Sequence, residues 1–176
     1  MAGKCGDPTG QPIIGCEPYQ MLEEGFINET QFRGVEKASG RCDLNRRAFP
    51  YLKWIENDFF WAMESDPKFN PGVVNMDSYW TPGWGCDYFG RIMSMMNDRN
   101  ISNCVVLANL VMKSRFLPDL ISDEVAFAEF NKSIHFQNAF NEGDWEFTGN
   151  VYHYNGTGSK SKTEMATFIF VKGGSK

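Results

Sequence analysis

Proline and glycine set the limits on this chain before any other residues do. The first twenty residues hold Gly3, Gly6, Gly10 and Gly15 together with Pro8, Pro12 and Pro18. Both types disfavour helix interiors, so residues 1–20 are expected to form an extended arm. The apolar pair Ile13 and Ile14 is the arm's natural anchor on a neighbouring subunit. Residues 21–176 are then read as a single domain, a size that buries enough surface to hold a core unaided. Gly25, Gly34 and Gly40 leave room for a short helix near 18–24 and irregular chain beyond it.

The firmest helical pattern follows. Pro50 suits a first helical turn, and Tyr51, Leu52, Trp54, Ile55, Phe59, Ala62 and Met63 recur at helical spacing up to Asp66-Pro67. Residues 66–86 break the pattern with three Pro, three Gly and the aromatics Phe69, Tyr79, Trp80 and Trp84. Pro-Gly at 71–72 and again at 82–83 predicts two turns in a long loop. Asp87 is expected to cap the next helix, whose stripe is Tyr88, Phe89, Ile92, Met93 and Met96. Residues 101–117 fit a helical face and a buried strand equally well. Ser102 as cap and Pro118 as stop favour the helix. Residues 119–140 also read as helical, with Val125, Phe130, Ile134 and Phe127 inward.

The last third alternates instead. Trp145, Phe147 and Val151 face one way, and Met165, Ile169 and Val171 repeat the pattern beyond the turn-rich 155–159, predicting a β-hairpin with a mobile tip. The expected fold is therefore α+β. It has N-terminal helices and an extended arm, packed on a small antiparallel sheet that includes a C-terminal β-hairpin. Both faces of the second strand are apolar near Phe168 and Phe170. One face is expected to meet the helices and the other a partner.

Composition weighs against catalysis. The chain has fifteen Phe, six Tyr, five Trp and nine Met but two His. Aromatics and Met build cores and contact surfaces, whereas His is the usual proton-transfer group. Neither His135 nor His153 sits in a hydrolase or zinc signature, so no catalytic residue is assigned. The net charge of −5 argues against nucleic acid. No apolar run is long enough to span a bilayer, and the start lacks an apolar leader segment. Synthesis in a cytoplasm is expected. The five Cys are widely spaced and form no C-x-x-C, which favours reduced thiols.

Three further patterns have plain readings. Glu142, Asp144 and Glu146 read as a solvated turn and not as a calcium loop. Gly83, Gly85 and Gly90 lack a phosphate-binding lysine and a clear preceding strand. No metal or cofactor is expected. Lys160, Lys162, Lys172 and Lys176 make a basic C-terminal tip that could meet the acidic stretch Glu17–Glu29 or Asp119–Glu129 of another copy.

The expected function is that of a non-enzymatic structural or assembly subunit of a larger complex, of the kind found in a virus particle or tail. It would contact other subunits, or copies of itself, through Tyr79, Trp80, Trp84, Ile13, Ile14, Phe168 and Phe170. The alternative is a small-ligand module whose aromatic pocket is lined by Trp80, Trp84, Tyr152 and His153. A hydrolase or isomerase version would use His153.

Overall fold

The computed structural model describes residues 6–9, 11–12, 17–76, 80–114, 116–117, 119–155 and 163–173. The fold is α+β, with helices interspersed among strands and not gathered at the N-terminus. The chain forms two compact units, Met1–Phe69 and Asn70–Lys176. The change of unit falls inside the Pro- and Gly-rich segment that begins at Asp66.

In the first unit, α1 (Glu17–Glu23) is the short helix the sequence predicts. The strand β1 (Arg33–Val35), helix α2 (Ser39–Ala48) and strand β2 (Lys53–Ile55) make a small parallel unit, with Gly34 beside Trp54 in the register. That pairing requires glycine. A Cβ on Gly34 would lie 2.1 Å from the Trp54 ring. Trp54 then packs edge-on against Phe32 and donates its indole N–H to the Phe49 carbonyl at 3.3 Å. Cys42, Ala48, Phe49 and Leu52 complete this core. Of the arm, Gly6 pairs with Pro12 as an isolated bridge and donates its N–H to buried Asn45 at 3.3 Å.

The helix expected from Pro50 onward is corrected. Residues 53–55 are strand, and α3 begins only at Phe59, running Phe59–Ser65. The Asp58 carboxylate accepts the Trp61 N–H at 2.8 Å and so starts the helix there. The apolar residues before it belong to β2 and to the turn at Pro50 and Tyr51.

The second unit carries a four-stranded sheet in the order β3-β4-β6-β5. Its elements are β3 (Val73–Met76), α4 (Pro82–Asp98), β4 (Cys104–Lys113), α5 (Asp123–Lys132), α6 (Ile134–Glu142), β5 (Trp145–Asn155) and β6 (Glu164–Lys172). The sheet is mixed and not purely antiparallel. β3 runs parallel to β4, while β4–β6 and β5–β6 are antiparallel. β5 and β6 pair as a hairpin would, although the expected mobile tip lies outside the described residues.

Three helical expectations change here. Residues 104–113 are a central strand, buried on alternate positions from Cys104 to Met112 and also at Asn109 and Val111. Asn100 and Asn103, both with positive φ, turn the chain after α4 and displace the cap expected at Ser102. Pro82 occupies the first turn of α4, so Asp87 lies within that helix and caps nothing. Residues 119–140 split at Ser133. Its N–H ends α5 on the Glu129 and Phe130 carbonyls, and its hydroxyl accepts the Phe136 N–H at 3.2 Å to start α6. Five residues apart on α5, Val125 lies about 140° around the helix from buried Phe130 and is 55% exposed, while beyond the break Ile134 is 68% exposed.

The three helices cover one face of the sheet. Phe130 stands at the centre, with ring centroids 4.9 Å from Phe136, 5.1 Å from Phe170 and 5.5 Å from Phe168. Phe89 and Phe147 extend the cluster to α4 and β5. At the far end, Asn97 accepts the Trp145 indole N–H at 2.9 Å and donates to the Ala139 carbonyl at 2.8 Å, joining α4, α6 and β5. On the opposite face, Asn109 donates to Asn75 at 2.6 Å and to the Met76 carbonyl at 2.9 Å, and accepts from Thr167.

Close approach of α4 depends on two glycines. A Cβ at Gly85 would meet Leu110 of β4 at 2.3 Å, and one at Gly90 would meet the Phe136 backbone nitrogen at 2.2 Å. The second clash is with backbone and cannot be relieved by a rotamer change. Gly90→Ala should therefore destabilise the protein by about 1–3 kcal/mol. Gly83→Ala, whose nearest neighbour is 3.8 Å away, should cost nothing. Urea midpoints of the two variants, followed by far-ultraviolet circular dichroism, provide the check.

Candidate functional site

Exposed aromatic and apolar side chains of the second unit gather at one end. There β4 and β5 finish and α4 and α5 begin. The segment leading into α4 is fixed to this end, because the Trp80 carbonyl accepts the Val111 N–H at 2.9 Å. The lead into α5 is fixed beside it by Ile121 N–H to the Met112 carbonyl, also 2.9 Å. Between them the chain turns tightly at Ser114 and Leu117.

These constraints determine which side chains face solvent. Trp80 is half-buried and packs edge-on against Tyr88, with centroids 4.0 Å apart. Trp84 lies in the first turn of α4 and is 81% exposed. Phe116, at the turn after β4, is also 81% exposed, and Leu120 and Val125 are exposed on the way into α5. Tyr154 of β5 reaches the same end, opposite Met165, which is itself opposite Val111. Among the described residues of this unit, the exposed large apolar side chains located elsewhere are Val73, Ile134 and Tyr152, the last opposite Thr167 and so level with Asn109 in mid-sheet. Large exposed apolar patches are a feature of interaction sites in soluble proteins.

The rim of this end is acidic. Asp119, Asp123, Glu124 and Glu129 lie along the entry to α5 and its first two turns. A hydrogen bond from Ser122 holds the Glu124 carboxyl below its ordinary range. His153 approaches Asp123, with Nε2 3.1 Å from Oδ2, linking β5 to α5. The second histidine has a looser partner, His135 Nε2 lying 4.0 Å from Asp87 Oδ1. Both imidazoles are more than half exposed.

The residues expected to make contacts separate into three groups. Trp80 and Trp84 lie together on the exposed end. Phe168 and Phe170 do not reach the surface. They face the helices and are fully buried beside Phe130, because they share the inward face with Ala166. Tyr79, Ile13 and Ile14 lie outside the described residues. The pocket imagined for Trp80, Trp84, Tyr152 and His153 is not assembled as drawn. Adjacent residues of a strand point to opposite faces, so His153 meets α5 while Tyr152 lies on the other side of the sheet. Phe116, Leu120 and Val125 also lie exposed at this end; the spacing of Val125 fits a core position, and the other two carry no periodic signal.

The remaining patterns have structural roles. Gly85 and Gly90 serve packing, and β3 does precede α4, contrary to the expectation of no strand there. Asp87 accepts from the Ser133 hydroxyl at 3.3 Å. In the first unit, Glu36 is buried, with one oxygen accepting the Ala38 N–H at 2.8 Å and the other lacking a hydrogen-bond partner among the described residues. No group of three or more potential metal ligands occurs among the described residues. No described helix is long and apolar enough to cross a membrane.

Burial pushes the Cys42, Cys86 and Cys104 thiols up, most strongly Cys86. All three are free and inaccessible. Thiolate is the reactive form, so these positions should resist a pulse of iodoacetamide at mildly alkaline pH and react fully in denaturant. Peptide mass spectrometry after the pulse reads this directly, and rapid native labelling of Cys86 would contradict the packing of α4 on β4. The sequence matches no protein-family model and no curated protein.

Proposed function

We propose that the protein is a non-enzymatic assembly subunit whose contact surface is the exposed end built by Trp84, Phe116, Leu120 and Val125. One observation carries this reading: Trp84 is 81% exposed on a helix whose other face is fully packed. Fixing a tryptophan in solvent brings no folding benefit. Placed in an interface, it supplies large area at low entropy cost. The acidic rim around it suits partners with basic margins, including other copies of the chain.

The His153–Asp123 pair favours a second reading, in which an oriented imidazole acts as general base on a small ligand. A carboxylate within hydrogen-bond reach is the element such a role requires. Against it, the ring is half exposed, and the two tryptophans and Tyr152 do not enclose it.

Light scattering after size separation, across a wide concentration range, tests the first reading. Masses above 20 kDa that grow with concentration are expected. Trp84→Ala should reduce them while changing stability by less than about 0.5 kcal/mol, as for a surface substitution. A constant monomer mass would remove self-assembly and leave only a different partner protein.

A further inference from the structure

We propose that the exposed end of the second unit docks on the basic face of α2 in another copy of the chain. The inference rests on the reading of the protein as an assembly subunit, and it names the partner and the surface met. Two different surfaces come together, so the contact is head-to-tail, and a bound pair still offers one surface of each kind to further copies.

The exposed end selects a basic partner. Asp119 lies beside Leu120 in the chain and Glu124 beside Val125. Both acids are exposed, and neither has an ion pair among the described residues. The nearby cations are already engaged: Lys113 at the end of β4 by Glu164, Lys132 by Glu129, and His153 by Asp123. Setting this end against itself would bring Asp119 and Glu124 towards their own counterparts, and like charges across an interface cost affinity. Of the lysines expected to meet it, Lys172 instead reaches the Met96 carbonyl at 3.5 Å and lies over the Trp145 ring. Lys160, Lys162 and Lys176 lie outside the described residues.

The complementary charge lies on α2. Lys37, just ahead of the helix, and Arg41 and Arg47 within it are exposed and have no ion pair among the described residues. Arg41 and Arg47 stand three residues either side of half-buried Leu44, each about 60° around the helix axis from it. The other arginine of α2, Arg46, is paired with Asp43 and Glu56. Gly40 lies one turn before Leu44, and a Cβ there would meet nothing within 4 Å, which leaves space against the helix for a large ring. Guanidinium groups pair with carboxylates and also stack on aromatic faces. Arg41 and Arg47 therefore match an end that offers Asp119 and Glu124 together with the exposed rings of Trp84 and Phe116.

Sedimentation velocity on the full chain, from low to high micromolar, tests the contact with two variants, one blocked on each surface. Arg41→Glu blocks α2. The substitution falls in the first helical turn, where an acid suits the helix dipole, so the far-ultraviolet spectrum should not change. It should weaken association about tenfold or more. Trp84→Ala blocks the exposed end. Mixed in equal amounts, the two variants regain one wild-type junction, between the intact end of the Arg41→Glu copy and the intact α2 of the Trp84→Ala copy. The mixture should give a species of twice the 20.0 kDa chain mass that grows no further, because both surfaces left over are blocked. Two misfolded variants would not recover in this way. If each variant weakens association but the mixture forms no such pair, the contact is not head-to-tail and the inference fails. Association that ignores Arg41→Glu but is lost in Trp84→Ala would overturn the α2 face and leave the assembly reading intact. Association that persists in Trp84→Ala would defeat the exposed end itself, and both readings with it. A wild type that stays monomeric throughout would overturn this contact and leave the assembly reading only a different protein as partner.

Discussion

The second unit depends on one ring. Phe130 projects from α5 between the helix layer and the sheet, and it touches Phe136 of α6 and Phe168 and Phe170 of β6 at once. Phe89 and Phe147 connect this cluster to α4 and β5. Burying one such side chain is worth roughly 1.5–3 kcal/mol, and tilted aromatic pairs add to it. Ser133 makes the arrangement possible. By ending α5 and starting α6 at a single residue, it turns Phe130 and Phe136 toward a common centre. An uninterrupted helix over this stretch would have set Phe130 and Phe136 about 120° apart around its axis and brought Ile134 to the side of Phe130.

Much of this was visible in the amino acids, at the level of which residues would be buried. The stripe Phe89, Ile92, Met93 and Met96 lies inside as its spacing indicates, and the alternation from Trp145 onward is a strand. Element type was less legible wherever tertiary context decides. Cys104–Lys113 satisfies a helical face, but its place between β3 and β6 buries both sides and leaves the β-branched residues Val105, Val106 and Val111 better suited to strand. The run from Tyr51 to Met63 held a helical period by coincidence. A two-residue signal, Asn57-Asp58, interrupts it, and Gly34 gives Trp54 a flat backbone on which to lie. Neither is a periodic feature, and the second involves a residue twenty positions away.

The exposed end was half legible for the same reason. Trp80 and Trp84 stand out by type alone, and the sequence distinguishes them as core plug or contact surface only through their separation. Trp80, just ahead of α4, packs against Tyr88, while Trp84 in the first turn of α4 faces solvent. Phe116 and Leu120 could not be anticipated, because their position comes from backbone bonds that fold the chain back along β4 at Val111 and Met112. Phe168 and Phe170 went the other way. A strand that is apolar on both faces suggested an outer contact, yet these two share a face with Ala166, under the helices.

The two ends of the sheet are built on opposite principles, and that contrast bears on function. At the end holding Asn97, polar side chains are used internally. Asn97 satisfies Trp145 and Ala139, Gly143 packs against its amide, and the large apolar groups are enclosed. At the other end, backbone hydrogen bonds fix the loops while their aromatic side chains are left in water. Flexibility does not account for the exposure, since Trp80, Val111, Met112 and Ile121 are tied to one another through the main chain. A chain that can bury Phe130 completely has no difficulty burying aromatics. Under the assembly reading proposed above, side chains on loops already fixed by main-chain bonds would lose little further entropy on docking.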